Sequence, residues 1–144
     1  MFVNLLIGLP IMATCLLLQS LLFVAAIRYY LKRHSSQSGQ SFWSAFGVVT
    51  GVMLILLFGN LAQVAIWGGL FRLLGEFETL TDAVYHSAVN FATLGYGDIV
   101  MSAPRRMLGP LEAINGALMI GVSTAALNAA FQDVIRRARA GQQG

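Results

Sequence analysis

Charge is what this sequence has least of. Only 10% of its 144 residues are Asp, Glu, Lys or Arg, against about 25% in an ordinary soluble domain. A conventional water-facing surface is excluded on that ground. Cys15 is the single cysteine, so no disulfide can close within the chain and the redox compartment cannot be read from it. There is no His/Cys cluster to hold a metal, no nucleophile patterned with a base, and no glycine loop of the phosphate-cradling kind, so an enzyme has no support. No segment carries arginine at every third position, which removes strong voltage sensing. No internal repeat is present.

What is there is apolar: 57% of the residues are hydrophobic. The few charges cluster, and they leave Met1 to Ile27, Ser41 to Phe71 and Met107 to Gln132 free or nearly free of them. Each stretch supplies the roughly 20 apolar residues that cross a ~30 Å hydrocarbon core. A fourth, from about Leu80 to Ala92, is too short to cross and contains Asp82, His86 and Asn90. The expected fold class is therefore an all-α membrane protein with three transmembrane helices and one re-entrant helix. The first apolar run lacks a preceding positive residue, and its first charge, Arg28, follows it. It reads as a retained helix rather than a signal peptide.

The first helix is expected over Asn4 to Tyr30, followed by a polar loop from Lys32 to Gln40, and the second over Phe42 to Leu70. Gly68-Gly69 and Gly75 mark a break. Thr79, three residues before Asp82, has the spacing of a capping arrangement at the start of the short helix. After a loop from Ile99 to Met107, Pro110 opens a third long helix that runs to about Ile135. Only Gly141 to Gly144 follow the basic Arg136 to Arg139 stretch, and no ligand-binding domain is expected there.

Lys and Arg near span ends favour the cytoplasmic side. Arg28, Lys32, Arg33, Arg136, Arg137 and Arg139 face only Asp133 on one side of the membrane. On the other, Arg72, Arg105 and Arg106 are outnumbered by Glu76, Glu78, Asp82, Asp98 and Glu112. Three spans then place the N-terminus outside, with Asp98, and the C-terminus in the cytoplasm. The C-terminal arginines read as a cytoplasmic anchor rather than a nucleic-acid patch.

Between the short helix and the third long one lies Thr93-Leu94-Gly95-Tyr96-Gly97-Asp98. A dehydrated cation needs several oxygens at once, and a strand supplies them only if its carbonyls point one way. Gly95 and Gly97 tolerate positive φ, so alternating backbone signs can bring successive carbonyls to the same side.

This hexapeptide resembles a potassium-channel selectivity filter. Phe42 to Arg137, as helix, re-entrant helix, filter and helix, is similar to the two-helix pore domain of the potassium-channel superfamily, above all to small bacterial ion-channel or two-pore-domain-like proteins. Pro104-Arg105-Arg106-Met107-Leu108 and Glu112-Ala113-Ile114-Asn115-Gly116 carry the resemblance further. It divides the chain into an extra N-terminal helix and loop (1–40), a pore domain (41–137) and a short tail (138–144). It implies a homotetramer in the plasma membrane, the inner membrane of a bacterium, that conducts K+ passively and needs no cofactor, K+ being the permeant ion. The alternative is a non-conducting membrane subunit that regulates or assembles with another protein. The extra helix shields the outer helix, sets the topology or binds a membrane partner.

The resemblance assigns K+ to the carbonyls of Thr93, Leu94, Gly95 and Tyr96, with Gly97 completing the filter, the Thr93 hydroxyl at the inner end, and Leu94 and Tyr96 wedged against the short helix. Tyr85 and His86 stand where an aromatic pair usually supports the strand, and Val89 where some members have a carboxylate. Leu94 replaces the commoner Val and Ala92 a second Thr. His86 is either a pH sensor or a packed neutral side chain. Asp98 and Glu112 draw cations to the outer mouth, or Glu112 favours its helix N-terminus. Gly116, with Gly121 as the other candidate, is a gating hinge or a close-packing site. Ser123, Thr124 and Asn128 line a wet cavity or bond between helices, and Gln19, Asn60 and Gln63 read as interhelical hydrogen-bonding groups.

Overall fold

A computed structural model describes residues 2–35 and 42–140. Four helices follow one another: α1 (Phe2–Ser35), α2 (Phe42–Leu73), α3 (Leu80–Phe91) and α4 (Leu108–Ala140). No hydrogen-bonded β-strand occurs among the described residues, and the strand-like segment from Thr93 to Gly97 pairs with no other backbone in a sheet. Phe2–Lys32, Ala45–Leu73 and Leu108–Arg136 are long and apolar enough to cross a membrane. With 12 residues, α3 rises only about 18 Å. The polar connection expected after α1 falls largely on 36–41, outside the described residues, as do residues 141–144.

Two boundaries differ from expectation. α1 runs five residues beyond Tyr30, because Leu31, Lys32 and Arg33 are good helix formers that carry the last turns onward. α2 passes through Gly68-Gly69 without a break and stops only at Gly75, whose φ is +74°. Gly68 is instead a point of close approach, since a Cβ there would lie 2.9 Å from the Val84 Cα of α3. α4 likewise extends past Ile135, to Ala140.

α1 packs against both α2 and α4, and α3 sits between α2 and α4. Little in lipid drives helices together except close packing and interhelical hydrogen bonds, and both are present. Gly51 and Gly59 of α2 give room to Tyr29 and Leu22 of α1. Gln63 Nε2 donates to Gln19 Oε1 (2.8 Å), Gln19 Nε2 to Ser123 Oγ (3.1 Å), and Asn115 Nδ2 to Gln63 Oε1 (3.4 Å). This buried amide ladder ties α1 to α2 and α4, and of the two readings of Ser123 it matches bonding between helices. At its two ends α1 is held again, by Asn4 Nδ2 donating to the Pro104 carbonyl (2.8 Å) and by Tyr30 Oη donating to Asp133 (2.5 Å). The extra helix is thus held to the loop before α4 at Asn4 and to α4 itself at Gln19 and Tyr30, while Leu6, Leu17 and Leu21 stay exposed, as suits a face toward lipid.

Candidate functional site

The short helix begins as the sequence predicts. Thr79 is the N-cap, its Oγ1 accepting from the Asp82 backbone N–H at 3.0 Å, and the same hydroxyl donates to the Asp82 carboxylate at 2.7 Å. Its other end builds the site. Thr93 N–H reaches back to the Asn90 carbonyl (2.8 Å) and Leu94 N–H to the Val89 carbonyl (2.9 Å). That pair of bonds is a Schellman motif, and the residue it forces into the left-handed region is Thr93, with φ +59°. A β-branched residue there is an outlier.

From Thr93 the backbone alternates. Thr93, Gly95 and Gly97 have positive φ (59°, 58° and 73°), and neither Leu94 nor Tyr96 does. Alternating left- and right-handed residues turns successive carbonyls to one side of the chain and the N–H groups to the other. The sequence signalled the glycines of this pattern and named Thr93 as its first residue, but not the left-handed conformation of Thr93, which a β-branched side chain does not announce.

Behind the strand the chain is closed. Tyr85 Oη donates to Asp98 Oδ2 (2.7 Å), which holds the Asp98 carboxyl below the usual carboxylate range and pushes the Tyr85 hydroxyl up. His86 Nδ1 bonds the Ile99 carbonyl (3.0 Å), and Asn90 Nδ2 donates to His86 Nε2 (2.8 Å). Those partners require a neutral ring protonated at Nδ1. Burial lowers the pKa of His86, and Phe71 and Phe77 pack on it with ring centroids 5.7 and 4.9 Å away. Of the two readings of His86, this geometry matches the packed neutral one. A cavity of about 230 Å³ lies between the strand, α3 and the start of α4, lined by His86, Asn90, Gly97 and Arg106 among others.

The loop after Asp98 is anchored by a residue that sequence reasoning passed over. Glu76 accepts from Ser102 N–H (2.8 Å) and Ser102 Oγ (2.9 Å), and pairs with Arg105 Nε (3.4 Å). In the sequence it reads only as one of the outer acidic residues at the entry to the short helix, and its partners lie more than 25 residues away.

The front of the strand is open. Leu94 and Tyr96, expected to wedge against the short helix, are 54% and 66% exposed within one chain. Glu112 also departs from its expected place: it is fully buried rather than at an outer mouth, with Oε1 2.5 Å from Ser87 Oγ. Gly116 lies against the end of α3, where a Cβ would run into the Phe91 carbonyl, whereas Gly121 has open space around it. Close packing therefore has a physical cause at Gly116.

A family model described as ion channel, the two-transmembrane-helix potassium-channel domain, matches residues 60–133, just over half of the chain. The chain belongs to this ion-channel family. The matched region runs from the second half of α2 through α3 and the alternating strand into α4, so it is the pore domain of a channel of the potassium-channel superfamily, set in a membrane protein with several spans. No curated protein and no solved structure matches the channel.

Proposed function

We propose that the channel is a potassium-selective pore, a homotetramer of the plasma membrane that conducts K+ passively through Thr93 to Gly97. The single observation that carries this reading is the alternation of φ sign over those five residues. It supports four carbonyls, those of Thr93, Leu94, Gly95 and Tyr96, aimed at one axis, with the Thr93 hydroxyl below them. Rings of such carbonyls are what replaces a potassium ion's water in filters of this superfamily.

One chain contributes one side of a ring, and a closed ring needs rotational symmetry. The exposure of Leu94 and Tyr96 supports a neighbouring copy against the open face of the strand. In this assembly α3 is the re-entrant pore helix, and its C-terminal carbonyl end, with a partial charge of about −0.5, favours a cation near the bilayer centre. Tyr85, His86 and Asp98 brace the outer end of the filter. Residues 41–137 form the pore domain, α1 is an added shield tied to it, and the charge asymmetry supports an N-terminus outside and a C-terminus in the cytoplasm. Gating motion of α4 has its freest candidate hinge at Gly121.

Potassium and sodium flux into liposomes containing the purified channel tests the proposal, with Gly95→Ala as control. A Cβ at φ +58° is strained and spoils the alternation. Potassium flux should exceed sodium flux and fall to background in the variant. A well-folded tetramer without flux over a range of pH and membrane potential would favour the non-conducting subunit instead.

A further inference from the structure

The buried carboxyl of Glu112 takes no part in the proposed ion path, and its surroundings constrain its proton. The side chain has no exposure to solvent even in a single copy. No Lys, Arg or His among the described residues pairs with it. From α1 the Cys15 thiol is within its electrostatic reach; α3 presents Ser87 and Asn90, and α2 presents the Val64 carbonyl through Ser87. An ionised carboxylate among these neutral groups would be a buried charge without a counter-charge.

Hydrogen counting leads to the same place. Ser87 Oγ lies 2.8 Å from the Val64 carbonyl oxygen and 2.5 Å from Glu112 Oε1. A hydroxyl carries one proton, and a carbonyl only accepts. If Ser87 donates to Val64, the bond to Glu112 needs its proton from the carboxyl. If Ser87 donates to Glu112 instead, two oxygen lone pairs face each other at the Val64 contact. Only the protonated acid satisfies both distances.

We propose that Glu112 is held as the uncharged carboxylic acid and donates to Ser87, which donates to the Val64 carbonyl, so that one buried relay pins α4 to α3 and α2. Glu112 is then a positioning residue. It fixes the short helix at Ser87, next to His86, which bonds the Ile99 carbonyl and is itself held by Asn90.

Infrared spectroscopy of the full-length protein in liposomes at neutral pH tests this without reference to conduction. Wild type should show a carboxylic C=O stretch that is absent from Glu112→Gln. In Ser87→Ala the band should persist but move to higher frequency, as an acid does when its hydrogen bond is lost. Glu112→Gln, which keeps a neutral donor, should retain the thermal midpoint of wild type to within a few degrees, while Glu112→Ala lowers it clearly. The absence of any carboxylic band lost on Glu112→Gln would overturn the proposal, as would a band unmoved by Ser87→Ala. A Gln variant as unstable as the Ala variant would overturn it too.

Discussion

Two helix ends in this channel share one hydrogen-bond pattern and differ in the residue at its tightest point. At the end of α2, Gly75 N–H bonds the Arg72 carbonyl and Glu76 N–H the Phe71 carbonyl, both at 3.1 Å, with Gly75 at φ +74°. At the end of α3 the same two bonds form around Thr93 at φ +59°. Glycine adopts this conformation freely, whereas an L-residue pays roughly 1–2 kcal/mol. The first cap is built for stability. The second accepts strain at the residue whose carbonyl and hydroxyl begin the proposed ion path, and strain of this size persists where function uses the geometry it enforces.

Making the two caps alike is the sharpest way to break the comparison. Thr93→Gly keeps the left-handed turn and relieves the strain, so the assembled channel should gain about 1 kcal/mol in stability. It also removes the hydroxyl, and the ratio of potassium to sodium flux should fall by about tenfold, a change of ~1.4 kcal/mol in relative barrier. Paired thermal melts and liposome fluxes read both effects; a variant that is less stable and equally selective would count against the account.

The reverse exchange has a smaller reach. Gly75→Ala has space for its methyl group, with nothing within 4 Å, so only the backbone resists, and stability should drop by about 1 kcal/mol. The flux ratio should stay as in wild type. A change in selectivity from this distant cap would show that the two helix ends are not separate in function.

The smallest expected effect lies beside the second cap. The pKa of His86 is lowered by burial, so its contribution to stability is complete above the ordinary histidine value of about 6.5 and is lost as pH falls below it, when the unfolded chain takes up a proton that the folded ring resists. Thermal midpoints measured from about pH 7 down to about pH 5 should fall more steeply for wild type than for His86→Gln. Parallel curves would remove His86 from the acid response.

Much of the fold was legible because lipid imposes simple demands. Clustered charges marked the three spans, a short polar-containing stretch marked α3, and Thr79 with Asp82 marked its start. The two glycines of the alternating strand were readable for the same reason, since positive φ has a residue preference. Thr93 was not, because its conformation is imposed by the Val89 and Asn90 carbonyls of the preceding helix and not by its own side chain. Glu112 and Glu76 were misplaced or passed over because what decides their roles, Ser87 for one and Ser102 with Arg105 for the other, is distant in sequence. The continuation of α2 through Gly68-Gly69 had a similar origin: the glycine that reads as a break is where Val84 needs room.

The central claim is that the carbonyls from Thr93 to Tyr96 face one axis and hold the ion. Crystals of the assembled channel grown with Rb+ or Tl+ in place of K+ test it directly by anomalous diffraction. The account predicts a row of anomalous peaks on the four-fold axis, each within coordination distance of carbonyl oxygens from this stretch. A well-ordered strand with no peaks beside it, or with the Gly95 carbonyl turned away from the axis, would contradict it.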